Sequence, residues 1–506
     1  MLSLLSILID PRTFWTLAIL FVLWLFNNWV SRKKYKLPPG PTPFPLIGNY
    51  LDLRKHPYTY QLLAEWSKQY GDIIYVEIGP MKCVALNSFP AIQEAYVKQK
   101  DIFAGRPQVY SGEVFSDGGK NILFGQPGPT WNLHRKLALK AIKNYASGDK
   151  LEDLVHTAVG RIDSVLESGP MDPTHMIGLV MFNIINGIVF GKSYEYDDPE
   201  FKYQMQMIDE LLSLNVSGVW SDYVPFLQYL PDFFSSPHTR KSMNLTRKWM
   251  GFNYTQFKKH QEEFNPDNVR DLTDELLFTK KQAEDEEDEK VLGSLTNSHM
   301  AQTGLDVYTA GLETSMYTLL WTFLYMATKP ECQDKLQEEI DRVVGRDRKP
   351  TLQDGKSLLY CEAVFDEVLR LATVAPLGLP RVTTSDTVLN GYEIPKGMTI
   401  ITNLWAMHHD PKYWEEPMEF KPERWLDEVT GQRVGRTRDS YMPFSSGRRF
   451  CVGKTLARRE INLTIATFFQ KYRVSPPEGV TLDMAAKEQP LTCFPKPYKI
   501  VIQKRG

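Results

Sequence analysis

Cysteine is scarce in this chain, and what there is shows no structural arrangement. The five cysteines, Cys83, Cys332, Cys361, Cys451 and Cys493, are odd in number and scattered. That excludes a disulfide framework or a metal finger and suits reduced thiols in a cytosol-facing protein. An excess of one charge is also missing: 59 basic against 61 acidic side chains leave a formal −2, so nothing draws the chain to nucleic acid. No stretch looks like a flavin or nicotinamide site. Uninterrupted apolar runs of bilayer length are lacking too, since Leu2 to Ile9 is broken by Asp10-Pro11-Arg12 and Thr13 to Phe26 falls short of the roughly 20 residues that span a membrane. The composition is otherwise that of an ordinary globular chain, 42 % hydrophobic and 24 % charged over 506 residues, with enough apolar matter for a sizeable core. Length alone permits two or three domains or one large enzyme.

The N-terminus reads as an attachment outside the main domain. Thr13 to Val30 spans a bilayer if Asn27 and Asn28 sit near the interface, and Arg32, Lys33, Lys34 and Lys36 follow at once. Such a cluster stays cytoplasmic and leaves the short N-terminal end lumenal. No small-residue cleavage site follows the apolar run, so an anchor is expected rather than a signal peptide. Leu37-Pro-Pro-Gly-Pro-Thr-Pro-Phe-Pro45 can be neither helix nor central strand. The division is therefore residues 1–30 as a transmembrane signal anchor, 31–48 as a basic and proline-rich hinge, and 49–506 as the main domain.

Within that domain the pattern is mainly α with small β-sheets. Ile73 to Leu86 flanks the turn signal Gly79-Pro80 as a hairpin does. Asp101 to Gly125, rich in Gly, Ser and Pro, reads as a long loop, and long loops in compact domains are usually functional. Leu151 to Thr279 is mostly helical by periodicity, and Ala283 to Lys290 is an acidic run expected to be an exposed linker. Ser298 to Thr328, ended by Pro330, reads as one helix of about thirty residues, roughly 45 Å long.

The chemistry concentrates in Phe444-Ser-Ser-Gly447-Arg-Arg449-Phe-Cys451-Val-Gly453. Glycines on both sides of a cysteine let the backbone pass close beneath a flat macrocycle and tolerate positive φ. Nearby N–H groups temper a thiolate's charge, and arginines offset the negative charge of a haem with its thiolate and two propionates. The segment after Cys451 reads as a helix whose N-terminal dipole favours the thiolate. Taken alone, a lone cysteine in a turn reads as a buried structural residue, and it is the full pattern around Cys451 that reverses this.

Three further segments matter. Trp131 and Arg135 lie one turn apart on a helix, as a surface pair or as a clamp on one propionate. Lys136, Lys140 and Lys143 share another face of that helix, as a solvated face or as a docking patch for an acidic partner. In Asp306-Val-Tyr-Thr-Ala310-Gly311-Leu-Glu313-Thr314, a mid-helix glycine permits close approach to something flat, and Glu313 with Thr314 can relay protons to a bound dioxygen. The alternative is a packing glycine with a threonine bonded back onto its own helix.

Phe-x-x-Gly-x-Arg-x-Cys-x-Gly, Trp-x-x-x-Arg, Ala-Gly-x-Glu-Thr and Glu367-x-x-Arg370 together resemble the cytochrome P-450 family, over nearly the whole chain. The resemblance implies the cytochrome P-450 fold, with a long central helix over haem b and Cys451 as axial ligand. It implies that Trp131, Arg135, Arg381 and Arg449 bind the propionates, and that Ala310, Gly311, Phe444, Gly447 and Gly453 shape the cofactor site. Glu313 and Thr314 become the catalytic pair, and Glu367-Arg370 joins Arg424 behind the thiolate loop. The segments 101–125, 374–379 and 489–493 then line the substrate pocket. Several stretches, among them Leu389 to Gly397 and Asn403 to Asp410, are similar to the animal microsomal group of steroid 17α-hydroxylases and xenobiotic oxidisers. The implied function is a haem-thiolate monooxygenase on the endoplasmic reticulum membrane with its catalytic domain in the cytoplasm. It would insert one oxygen atom of O2 into a hydrophobic small organic substrate, using electrons from an NADPH-dependent reductase, with cytochrome b5 as a second donor. A haem-thiolate isomerase or dehydratase and a non-enzymatic haem sensor are the rivals.

Overall fold

The computed structural model describes residues 15, 34–145, 148–166, 169–213, 222, 237–434, 439–488 and 492–506. Of the expected anchor at 1–30 only Trp15 falls among them. Among the described residues no helix is long and apolar enough to cross a membrane.

Helices dominate, and the hairpin forms where the turn signal stood. Strands β1 (Ile73–Ile78) and β2 (Met81–Leu86) pair antiparallel with Ile73 opposite Leu86. The turn between them needs Gly79, whose φ is +57°. Farther along the chain, β3 (Arg381–Val382) lies antiparallel to β4 (Thr399–Thr402), and β4 lies parallel to β2. A single four-stranded sheet thus carries Arg381 on its edge. The loop at 101–125 is less bare than its composition suggests, because Tyr110–Phe115 closes into a short helix within it. The acidic run is likewise half helical: α4 (Leu272–Asp285) continues into it, and Asp288 caps the next helix by accepting from Val291 N.

The core is built round α5 (Asn297–Thr328). Thr296 caps its start by accepting from His299 N, and the chain leaves the helix at Lys329, before Pro330. Its closest packing partner is α2 (Thr174–Val189), buried at every position from Met176 to Val189, as a helix that is apolar all round must be. Around this pair lie α1 (Pro129–Tyr145), α3 (Pro237–Glu262), α6 (Leu359–Ala372) and α7 (Lys454–Lys471).

Candidate active site

Behind the cysteine loop stands a network of paired charges. Glu367 and Arg370, one turn apart on α6, are both fully buried and joined by two hydrogen bonds of 2.9 and 2.8 Å. Arg424 Nε donates to Glu367 Oε1 at 3.0 Å and Trp425 Nε1 to Oε2 at 2.9 Å, so the carboxylate is saturated. Arg370 also donates to the His408 carbonyl, and His408 Nε2 accepts from Met442 N, two residues before Phe444. The expected triad therefore exists and reaches the cysteine loop. Beside it is a network that the sequence did not announce. Buried Asp366 accepts from Arg458 on α7, from Arg433 and from Tyr441, which ties α6 to the helix that follows the cysteine.

The loop itself is held by backbone geometry. Cys451 N donates to the Phe444 carbonyl at 3.0 Å. Gly447 has φ +69°, and a Cβ there would lie 1.9 Å from the Tyr96 carbonyl oxygen, so no side chain is tolerated. Gly453 differs: its φ of −81° is open to any residue, and a Cβ would stand 3.8 Å from the cysteine sulfur, an ordinary contact. Helix α7 starts at Lys454. Burial pushes the Cys451 thiol up, while the N–H groups of Gly453 and Lys454 and the cation of Arg135 pull it down, which are the stabilising influences expected for a thiolate. Cys451 keeps accessible surface while the protein around it desolvates the thiol. The other four cysteines are buried and, among the described residues, not joined in disulfides.

Four arginines gather around this loop. Arg449 donates to the carbonyls of Ala104, Ile122 and Gly125 at 2.8, 3.1 and 2.6 Å and stacks on Trp131, which uses up three of its five N–H groups. Arg135 donates to the Phe450 carbonyl. Arg381 donates from Nη2 to Ser445 Oγ and the Ser446 carbonyl and lies 3.4 Å over the Tyr96 ring, while its Nη1 is buried without a partner. The fourth, Arg106, was not anticipated. It donates to the carbonyls of Leu123, Leu379 and Pro380, bridging the long loop to the segment before β3. Its signal is Phe103-Ala-Gly-Arg-Pro: an arginine placed between buried apolar residues and a proline. All four are buried, and among the described residues none forms an ion pair with an acid. Burial, and after it the neighbouring guanidiniums, lower Arg106 to about 9, Arg135 to about 10 and Arg449 to about 8; burial lowers Arg381 too. A guanidinium keeps its proton at neutral pH, so this cluster is suited to an anion with several acceptor oxygens. Trp131 does not aim its N–H at the same target, since Nε1 donates to the Ile122 carbonyl at 3.0 Å.

The central helix opens at one place. From Gln302 to Ala327 its residues are buried except Thr309 to Gly311, Glu313 and Thr314, with Ala310 exposed. The close approach that Gly311 permits is to a neighbouring helix, because a Cβ there would meet Ile185 Cδ1 of α2 at 2.9 Å. Thr314 Oγ1 donates back to the Ala310 carbonyl at 2.7 Å, leaving its lone pairs as acceptors. Glu313 accepts from Tyr317 at 3.0 Å and from Thr492 at 3.4 Å, and burial holds its carboxyl above the usual range. The adjacent Cys493 N donates to the Val374 carbonyl, so two of the expected pocket segments are bonded together; residues 489–491 lie outside the described residues. One further acid joins the helix to the arginines. Asp306 accepts from Asn121 Nδ2, Ile122 N and Leu123 N, and burial lifts its carboxyl to about 8 in spite of them. It thus pins the loop whose carbonyls hold Arg106 and Arg449.

The lysine face is partly spent. Lys136, Lys140 and Lys143 are all exposed, but Lys140 pairs with Glu275 on α4.

Residues 38–502 match the family described as Cytochrome P450. This chain belongs to that family. It is 34 % identical over 469 residues to the steroid 17-alpha-hydroxylase/17,20 lyase of Squalus acanthias, covering 92 % of this chain and 91 % of that one. It is 32 % identical over 498 residues to cytochrome P450 1A5 of Gallus gallus, covering 96 % and 92 %. To cytochrome P450 2J5 of Mus musculus it is 33 % identical over 503 residues, covering 96 % and 97 %. The cytochrome P450 family and these relatives are monooxygenases that bind haem through a cysteine thiolate. The residues fit that group: buried Arg381 Nη1 lacks a partner, the four guanidiniums have no carboxylate among the described residues, and the Cys451 thiol keeps accessible surface.

Proposed function

We propose that this P450 inserts one oxygen atom of O2 into a hydrophobic small organic substrate, with Cys451 as the thiolate ligand of haem b. The observation that carries the reading is the set of four buried arginines around the Cys451 loop, none of them paired with an acid among the described residues, which suits two propionates. Arg381, through its free Nη1, and Arg135, Arg106 and Arg449 are assigned to hold them, with Trp131 bracing Arg449 by stacking. Haem, when bound, supplies the activation of dioxygen. At the opening in the central helix Thr314 Oγ1 is the hydroxyl that accepts and passes a proton, and Glu313 is the carboxyl that replenishes it. Burial raises its proton affinity, which favours the protonated form that a donor needs. Residues 1–30 are assigned as a membrane anchor and 31–48 as the hinge, with the catalytic domain 49–506 on the cytoplasmic face of the endoplasmic reticulum. The similarity to a steroid hydroxylase and to P450 1A and 2J forms supports both the membrane setting and a lipid-like or xenobiotic substrate. Electrons are assigned to an NADPH-dependent reductase, with cytochrome b5 as an auxiliary donor, because nothing in the chain resembles a flavin or nicotinamide site.

The test is NADPH consumption by the purified chain with a reconstituted reductase, read together with oxygenated products from a microsomal lipid and xenobiotic mixture. Stoichiometric NADPH oxidation and product are expected. Turnover without NADPH would point to an isomerase or dehydratase, and haem binding without turnover to a sensor.

A further inference from the structure

Hydroxyl side chains on α5 mostly serve their own helix. Thr314, Thr318, Thr322 and Thr328 each donate to the carbonyl four residues earlier. Ser315 does not. Its Oγ leaves the helix and donates to Glu460 Oε1 on α7 at 2.7 Å. Among the described residues this is the only hydrogen bond between α5 and α7, and both residues are 1 % exposed. The second oxygen, Glu460 Oε2, is buried without a partner. Burying a carboxyl with one donor is costly, and a nonpolar residue would fill the same space.

Position explains why the cost is tolerated. Ser315 is the next residue after Thr314, and Glu460 lies on the helix that begins three residues past Cys451. We propose that Glu460 is a positioning residue: through Ser315 it fixes the orientation of Thr314 relative to the helix that carries the thiolate loop. This rests on the reading of Cys451 and Thr314 given above. Burial lifts the Glu460 carboxyl to about 7, opposed only by the Ser315 hydroxyl. No charged side chain of α1, α5, α6, the helices Asp149–Gly160 and Pro330–Val343 or the strand Tyr472–Ser475, the elements packed against α7, acts on it. The link therefore changes character near neutral pH. Between about 4.5 and about 7 the folded chain keeps a proton that the unfolded chain has lost, so this group's contribution to stability falls as pH rises through that window and is level above it.

Two measurements on the haem-loaded protein test the proposal. In the first, amide hydrogen exchange is followed over 308–318. Losing one buried hydrogen bond is expected to speed exchange about fivefold in Ser315→Ala and Glu460→Leu, with wild-type rates restored in Glu460→Gln, which keeps an acceptor. Equal rates in all four proteins would overturn the link, and should Glu460→Leu fail to fold, Ser315→Ala against wild type decides alone. In the second, the infrared band of carbon monoxide bound to the reduced protein is recorded from pH 6 to 8.5. Wild type should shift with a midpoint near about 7, and Glu460→Gln should not. A shift that persists in Glu460→Gln would refute the role of this carboxyl. Thr314→Ala serves as the control: if it leaves the band unmoved, Thr314 is not beside the gas site and the oxygen-activation reading fails, while the exchange result still judges the Glu460–Ser315 link.

Discussion

Two sets of buried arginines flank the cysteine loop, and they are neutralised differently. Arg370 and Arg424 share Glu367, with the remaining N–H groups on backbone carbonyls, so that set is complete within the polypeptide. Arg106, Arg135, Arg381 and Arg449 donate only to carbonyls, a serine hydroxyl and aromatic faces, with no carboxylate among the described residues. A fold that could supply acids to the first set did not supply them to the second. The difference separates a scaffold from a cradle: the first set holds the loop in place at all times, while the second becomes electrostatically complete with an anionic cofactor.

The comparison can be broken first at the scaffold. Arg370→Leu leaves the buried Glu367 without its ion-pair partner on α6, holding only the bonds from Lys421 N, Arg424 and Trp425, which costs about 3–5 kcal/mol. Denaturant unfolding should show that loss with and without haem; a loss only in the haem-loaded protein would erase the distinction. Arg381→Leu should do the reverse, with melting of the haem-free protein unchanged or raised because an unpaired buried cation is gone. Haem retention should weaken by the value of a charge-assisted hydrogen bond, about 1.5–3 kcal/mol, or roughly 10–100-fold, measured as haem transfer to apomyoglobin. The smallest effect belongs to the lysine face. Lys140 is committed to Glu275, so Lys136→Glu should slow electron transfer from the reductase by no more than about fivefold, as expected for an exposed pair of under about 1 kcal/mol. The difference should fade as salt shortens the Debye length below about 10 Å, and turnover driven by an organic peroxide should be unaffected.

What the sequence disclosed depended on whether a role was local. Phe444 to Gly453 and Glu367 with Arg370 are short-range patterns, legible because their spacing carries the chemistry. Trp131 with Arg135 was legible as a pair on one helix, but the bond of the indole to the Ile122 carbonyl was not. The long helix was legible from a stretch that holds no proline between Ser298 and Thr328 and from the Pro330 that follows it. Arg106, Asp306 and Asp366 were not, because their partners lie far along the chain: Arg106 meets Leu379 and Pro380, Asp306 meets Asn121 to Leu123, and Asp366 meets Arg433, Tyr441 and Arg458. Gly311 illustrates an ambiguity that only packing resolves, since a helical glycine can face a cofactor or a neighbouring helix, and here Ile185 occupies the near side. Lys140 shows the converse, an exposed charge whose acid partner on α4 no periodicity announces.

The most direct test is the absorption spectrum of the reduced, carbon monoxide-bound protein, compared between wild type and Cys451→Ala. Wild type should show the strongly red-shifted Soret band of thiolate ligation, and Cys451→Ala should lose it entirely, while the arginine cradle still retains some haem. Persistence of the red-shifted band in Cys451→Ala would contradict the assignment of that sulfur as the ligand, and with it the account of the loop built around it.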